Sequence, residues 1–125
     1  MSVFTKAELD YLQGEAGLGR IATVGPDGQP HVTPVGWQVD PEAGIVKVSG
    51  RNFARTKKFR DVKHTGRAAI VIDDVRPPWR PRGIEIRGRA EAIDGSEAHL
   101  RIYPERIITW GLDDTNPRHE ARNVR

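Results

Sequence analysis

The 125-residue sequence predicts a small, mainly β protein of the α+β class, built as an antiparallel barrel with inserted helices. Three observations carry this. Runs of β-branched and apolar residues alternate over strand lengths. Short turn signals such as Gly25-Pro26-Asp27-Gly28 and Asp40-Pro41-Glu42-Ala43-Gly44 join them, as antiparallel neighbours require. About six such strands share the chain with two or three helical segments, and closing the sheet disposes of its edges. At 14.0 kDa, residues 1–125 form one domain.

Taken in order, Thr5-Lys6-Ala7-Glu8 has the form of a capping box, with Leu9 and Leu12 giving the following short helix an apolar face. Arg20–Val24 reads as a first strand. Pro30–Val39 reads as a second that bends or faces a ligand, because Pro34 cannot donate to a ladder and Gly36 marks a bulge or a close approach. Ile45–Ser49 completes a three-strand meander. A basic helix ends near Gly66, and Arg67–Asp73 has the apolar character of a buried strand. Arg76–Arg82 contains three prolines and reads as a stiff loop, leaving Trp79 as a lid, a partner contact or a packed loop residue. Gly83–Ile93 alternates as one long strand that Gly88 kinks. Ser96 to Tyr103 reads as a helix stopped by Pro104, and Arg106–Gly111 as the last strand. Residues 113–125 form a polar tail, either mobile or laid along a partner.

Composition excludes several classes. Zero cysteines rule out disulfides, thiolate metal sites and cysteine nucleophiles. His31, His64, His99 and His119 show no ligand spacing, so no metal is expected; His31 lies at a barrel rim or against a ligand. There is no G-x-G-x-x-G after a strand, no P-loop, no G-x-S-x-G and no H-E-x-x-H. The chain has no apolar run of about 18 residues and no basic-then-apolar leader, so a cytoplasmic location without membrane association is expected. The net charge of +3 is too mixed to imply nucleic acid, and the aromatics are not interleaved along a strand. No catalytic side chain can be named. An enzyme without obvious catalytic residues most often has its chemistry carried by a cofactor.

Positive charge gathers in one place. Between residues 51 and 63 stand Arg51, Arg55, Lys57, Lys58, Arg60 and Lys63, against Asp61 alone. They follow Val48-Ser49-Gly50, where a strand ends and a helix starts. A helix start leaves N–H groups unpaired at the positive end of its dipole, which attracts an anion. With Asn52 as N-cap, Arg55 and Thr56 fall in the first turn, where a guanidinium and a hydroxyl can join the backbone donors on a phosphate. The same residues also fit a solvated amphipathic helix with Phe59 and Val62 buried.

The ordered segments GRIATVGPDGQPHVTPVGWQVDPEAGIVKVSG, RNFARTKKFRD, GRAAIVID and GIEIRGRAEAI, closed by PERIITWG, resemble the pyridoxamine 5′-phosphate oxidase-like superfamily. The resemblance spans residues from about 5 to 112 and is strongest to the small actinobacterial deazaflavin (F-420)-dependent reductases. It implies an FMN-binding type of split β-barrel and a homodimer with cofactor sites at the subunit interface. The cofactor phosphate would lie at Ser49, Gly50, Arg51, Arg55, Thr56 and Lys57. The ring would lie along Thr33, Pro34, Val35, Gly36 and Trp37, with Trp79 and Trp110 as contacts from the lid or second subunit. Ala54 stands where FMN-binding oxidases often place a second basic residue, which argues against a true vitamin B6 oxidase. The implied activity is hydride transfer between reduced coenzyme F-420 and a small electron-poor substrate. The alternatives are an FMN-dependent oxidoreductase of the same superfamily and a non-catalytic cofactor- or haem-binding protein.

Overall fold

The structure, a computed structural model, describes residues 3–14, 16–113 and 118–124. Helix α1 (Lys6–Gln13) precedes strands β1 (Gly19–Val24), β2 (Pro30–Asp40) and β3 (Ile45–Ser49). A single 3₁₀ turn (Phe53–Arg55) leads into helix α2 (Lys57–Thr65). Strands β4 (Arg67–Arg76), β5 (Arg80–Ile93), β6 (His99–Trp110) and β7 (Glu120–Asn123) follow. All pairings are antiparallel, in the order β3-β2-β1-β4-β5-β6-β7. Pairing of Val46–Val48 with Leu100–Ile102 joins β3 to β6 and closes six strands into a barrel.

The barrel interior follows the period of two. Ile21, Val46, Val48, Ile70, Ile72, Ile84, Ile86, Leu100, Ile102 and Ile107 are fully buried, while most of their chain neighbours are more exposed, Ile45 and Gly83 being buried exceptions. Helix α2 lies against β1, β5 and β6 with Phe59, Asp61 and Val62 buried. Gly66 ends it at φ 70°, a left-handed conformation that glycine adopts without penalty. Its N–H donates to the Val62 carbonyl and its own carbonyl accepts from Ala90 N–H, both at 2.8 Å, which ties the helix end to β5. The Thr5–Glu8 capping box forms on α1 as the sequence predicts.

Four local expectations are corrected. The helix expected over Ser96 to Tyr103 is absent: His99–Trp110 is one strand, which takes in the separately expected last strand from Arg106 and ends one residue before Gly111. Its apolar residues fall at alternate positions, and Pro104 is accommodated opposite Gly88, where the β5–β6 register shifts. A Cβ on Gly88 would lie 2.0 Å from the Tyr103 carbonyl oxygen, so glycine is required there by space. The proline-rich stretch is a hairpin rather than a long loop, since Arg76 pairs with Arg80 and Val75 with Pro81, leaving only residues 77–79 outside the strands. Asn52 does not cap α2. It adopts a left-handed conformation (φ 50°) before the 3₁₀ turn, while Thr56 is the N-cap and accepts from Phe59 N–H at 3.3 Å.

Within the polar tail, Glu120–Asn123 pairs with Arg106–Thr109 of β6, a strand the composition did not signal. Residues 114–117 and 125 of that tail lie outside the described residues. Arg122 donates to both carboxylate oxygens of buried Glu8 and, at 2.8 Å, to the Val3 carbonyl, linking β7 to the start of α1.

Candidate functional site

A groove of about 770 Å³ opens where β3 gives way to the 3₁₀ turn. Gln38, Lys47 and Ser49 line one wall, Gly50 and Asn52–Arg55 the end, and Gly95–His99 of the β5–β6 connection the other wall. Strand alternation explains the first wall. Val46 and Val48 are buried inside the barrel, so Lys47 and Ser49 project to the outside. Gly36 is the register partner of Ser49, which brings the outer face of β2 up to the same junction.

The basic run is divided by what each cation meets. Lys57 Nζ donates to both oxygens of Asp61, at 2.9 and 3.0 Å. Lys58 lies 5.4 Å from the Phe53 ring centroid, and burial pulls its ammonium below the ordinary lysine range. Arg60 donates to the Arg55 carbonyl at 2.8 Å, and Lys63 to Asp94 at 3.3 Å. Among the described residues, Arg51, Arg55 and Lys47 have no protein carboxylate partner. Lys47 and Arg55 both line the groove. Two unneutralised cations, set against the single carboxylate of Glu97 on the same lining, join the Ser49 and Ser96 hydroxyls and the Asn52 and Gln38 amides, a balance of donors that fits a phosphorylated ligand.

Of the residues singled out in the sequence, Ser49, Gly50 and Arg55 line the groove, and exposed Arg51 adjoins them. Thr56 adjoins as well, but its hydroxyl already donates to the Phe53 carbonyl at 2.7 Å and accepts from Phe59 N–H. On β2, Pro34 and Gly36 are exposed while Val35 is buried, so a ring along this strand would meet the outward positions and the backbone. Thr33 is half-buried. Trp37 is half-buried too, with its indole N–H donating to the Gly17 carbonyl at 3.1 Å. A Cβ on Gly19 would meet the Trp37 ring at 2.7 Å, so the indole covers that glycine. Trp79 is 74% exposed at the β4–β5 hairpin tip, and Trp110 stacks obliquely on His119 at 5.4 Å. Neither lines the groove.

Lys47 and Gly95–His99 were not singled out. Lys47 looks like an ordinary outward residue of an alternating strand, and the 95–99 connection reaches the groove only because β6 pairs with β3. His99 has both ring nitrogens engaged: Nδ1 lies 2.8 Å from the Glu97 carbonyl, and Nε2 accepts from Arg101 Nε at 3.2 Å. The acceptor role of Nε2 places the proton of the neutral ring on Nδ1. Among the described residues, no group of His, Asp and Glu side chains is arranged to hold a metal ion, and no helix is long and apolar enough to cross a membrane.

A closed six-strand antiparallel barrel, with a polar groove where a strand turns into a basic helix, is a split-barrel architecture. The sequence profile described as pyridoxamine 5′-phosphate oxidase matches residues 4–124, and the chain belongs to that family. It is 40% identical to a 5a,11a-dehydrotetracycline/5a,11a-dehydrooxytetracycline reductase of Streptomyces rimosus, over 97% of this chain and 93% of that protein. Family and relative together support an oxidoreductase. The fold is shared with the conserved hypothetical protein Rv2991 of Mycobacterium tuberculosis, at TM-score 0.72 and 20% identity, over 91% of this chain and 89% of that one. It is also shared with a heme binding protein of Mycobacterium smegmatis, at TM-score 0.70 and 18% identity, over 97% of this chain and 59% of that one.

Proposed function

We propose that the protein is a deazaflavin (F-420)-dependent reductase that acts on a small electron-poor organic substrate. The observation that carries this reading is the near full-length 40% identity to a reductase. The groove supports it through its chemistry: Lys47 and Arg55 present unneutralised charge to a ligand bearing a phosphate and, in F-420, an acidic glutamyl tail. When bound, the reduced deazaflavin would supply a hydride.

The chain's own residues would bind and orient. Ser49, Gly50, Arg51 and Arg55 would hold the phosphate at the β3–α2 junction, with Thr56 and Lys57 fixing the first turn behind them. Pro34 and Gly36 would offer flat backbone along β2 for the ring. The homodimer belongs to the same reading, a second copy covering the open side of the groove and bringing Trp79 or Trp110 toward it. Dehydrotetracycline-type polycycles are the first substrates to try, because the reductase relative is named for them.

Titration of the purified protein with F-420 and with FMN, followed by tryptophan fluorescence, tests the reading. Tighter binding of F-420 is expected, and preference for FMN would overturn it. The fold shared with a heme binding protein favours a second reading, a carrier without turnover. Binding of F-420 without reoxidation by any of a panel of dehydrotetracyclines, quinones and enones would select that reading.

A further inference from the structure

Much of the charge on the outside of the barrel is matched by the fold itself, since Arg20 pairs with Asp73, Arg87 with Glu85, Arg67 with Glu105 and Lys63 with Asp94. One outward row does not balance. Across β2, β3, β6 and β5 it runs Gln38, Lys47, Arg101 and Glu91, each the register partner of the next. Side chains directly opposite on antiparallel neighbours stand about 5 Å apart at Cβ, and like charges placed so are destabilising. Lys47 opposite Arg101 is such a pair. Among the described residues neither makes an ion pair: Glu91 accepts from the Tyr103 hydroxyl at 3.0 Å, and Glu97 on the groove lining pairs with neither cation.

Arg101 is also held in place. Its Nε donates to His99 Nε2 at 3.2 Å, and His99 Nδ1 is in turn engaged by the Glu97 carbonyl at 2.8 Å, so the guanidinium cannot fold away from Lys47 without giving up that bond. The fold thus keeps two positive charges side by side with no carboxylate to balance them. Lys47 faces the groove. It lines the wall together with Gln38, two residues, or about 7 Å, back along β3 from Ser49, whereas Arg55 stands at the groove's end beyond the strand. The Gln38 amide makes no hydrogen bond among the described residues, which leaves its N–H donors beside the Lys47 ammonium.

We propose that Lys47 and Gln38 form a second anion subsite in the groove, one that receives a carboxylate of the same ligand whose phosphate lies at Arg55. This deepens the proposed function and rests on it for the ligand. A carboxylate has two acceptor oxygens, one for the Lys47 ammonium and one for the Gln38 amide. Arg101 adds to the positive potential from behind, without being needed as a contact. The charge that costs the empty protein stability is then offset when the ligand binds.

Affinities for F-420 and for FMN, measured by tryptophan fluorescence on full-length variants, test this. FMN offers a phosphate without a carboxylate, and F-420 offers both. Lys47→Gln is expected to weaken F-420 binding about tenfold and FMN binding by less than about twofold, whereas Arg55→Ala weakens both. Lys47→Arg keeps the charge and is expected to retain F-420 affinity. An equal loss for the two ligands on Lys47→Gln would put Lys47 on the phosphate and overturn the inference, as would unchanged F-420 affinity. Should Lys47→Gln not fold, Gln38→Ala on the neighbouring strand takes its place, with a loss again confined to F-420 expected. Wild-type preference for FMN overturns the cofactor reading alone when the loss on Lys47→Gln is still confined to F-420; a wild-type protein that binds neither ligand overturns both.

Discussion

Arg55 and Lys57, two residues apart, differ in what holds them. Lys57 is engaged by Asp61, whereas the side chain of exposed Arg55 makes no hydrogen bond or ion pair with the described residues. Arg55→Ala is therefore expected to leave the fold intact and to weaken cofactor binding by about 1.5–3 kcal/mol, the range for a hydrogen bond to a charged group. Titration alongside circular dichroism checks it, and unchanged affinity would move the phosphate away from this turn. Acid sensitivity is set elsewhere. The Arg82 guanidinium, bonded to Asp74 at 2.8 and 3.0 Å, holds that carboxyl below its usual range; burial opposes it and the Tyr11 hydroxyl reinforces it. A carboxyl that is depressed in the folded state stabilises it above the unfolded value near 3.8, and the contribution disappears as pH falls through the folded value. Asp74→Asn should lower stability at neutral pH and flatten the acid limb of an unfolding curve. An acid limb identical to wild type would remove Asp74 from that role.

The elements were legible where local and tertiary signals agreed. The capping box of α1, the β1–β2–β3 meander, the stop of α2 at Gly66 and the irregularity at Gly88 were all readable, because each depends on neighbours in the chain. Residues 96–103 were misread because Ser96 and Pro104 are helix punctuation only when nothing else competes. Here Leu100 and Ile102 gain a barrel interior and two strand partners, and pairing outweighs capping. β7 was invisible for the complementary reason: Glu-Ala-Arg-Asn has no apolar period, and its strand is held by β6 and by the Arg122–Glu8 pair. Removing Arg122 leaves the Glu8 charge buried. Breaking a fully buried pair costs about 3–5 kcal/mol, and the partial exposure of Arg122 reduces this to about 2 kcal/mol for Arg122→Ala. Chemical denaturation measures it, and a loss below about 0.5 kcal/mol would mean that β7 adds little to the fold.

For the whole molecule, six-strand closure makes one groove from segments far apart in sequence, Lys47 with His99 and Arg55 with Ser96. The sequence marked the near half of that groove, since Ser49 to Arg55 is contiguous; the far half depended on the β3–β6 pairing that no local pattern encodes. The groove is open on a single chain, and the proposed homodimer is expected to sediment at about twice 14.0 kDa at micromolar concentration. A 14.0 kDa species in the presence of cofactor would remove the second subunit from the site.

The strand register limits how two such chains can meet. Residues 30–35 of β2 pair with β1 alone, so their other side has no strand partner among the described residues. Pro30 and Pro34 fall within that segment, and proline is tolerated in a strand where its nitrogen faces away from the ladder. A neighbouring chain that tried to add a strand here would find donors missing at alternate steps, the same defence that protects sheets against runaway fibril growth. Self-recognition is left to the barrel faces, where side-chain shape and charge select a partner, rather than to backbone hydrogen bonding that would accept any extended chain.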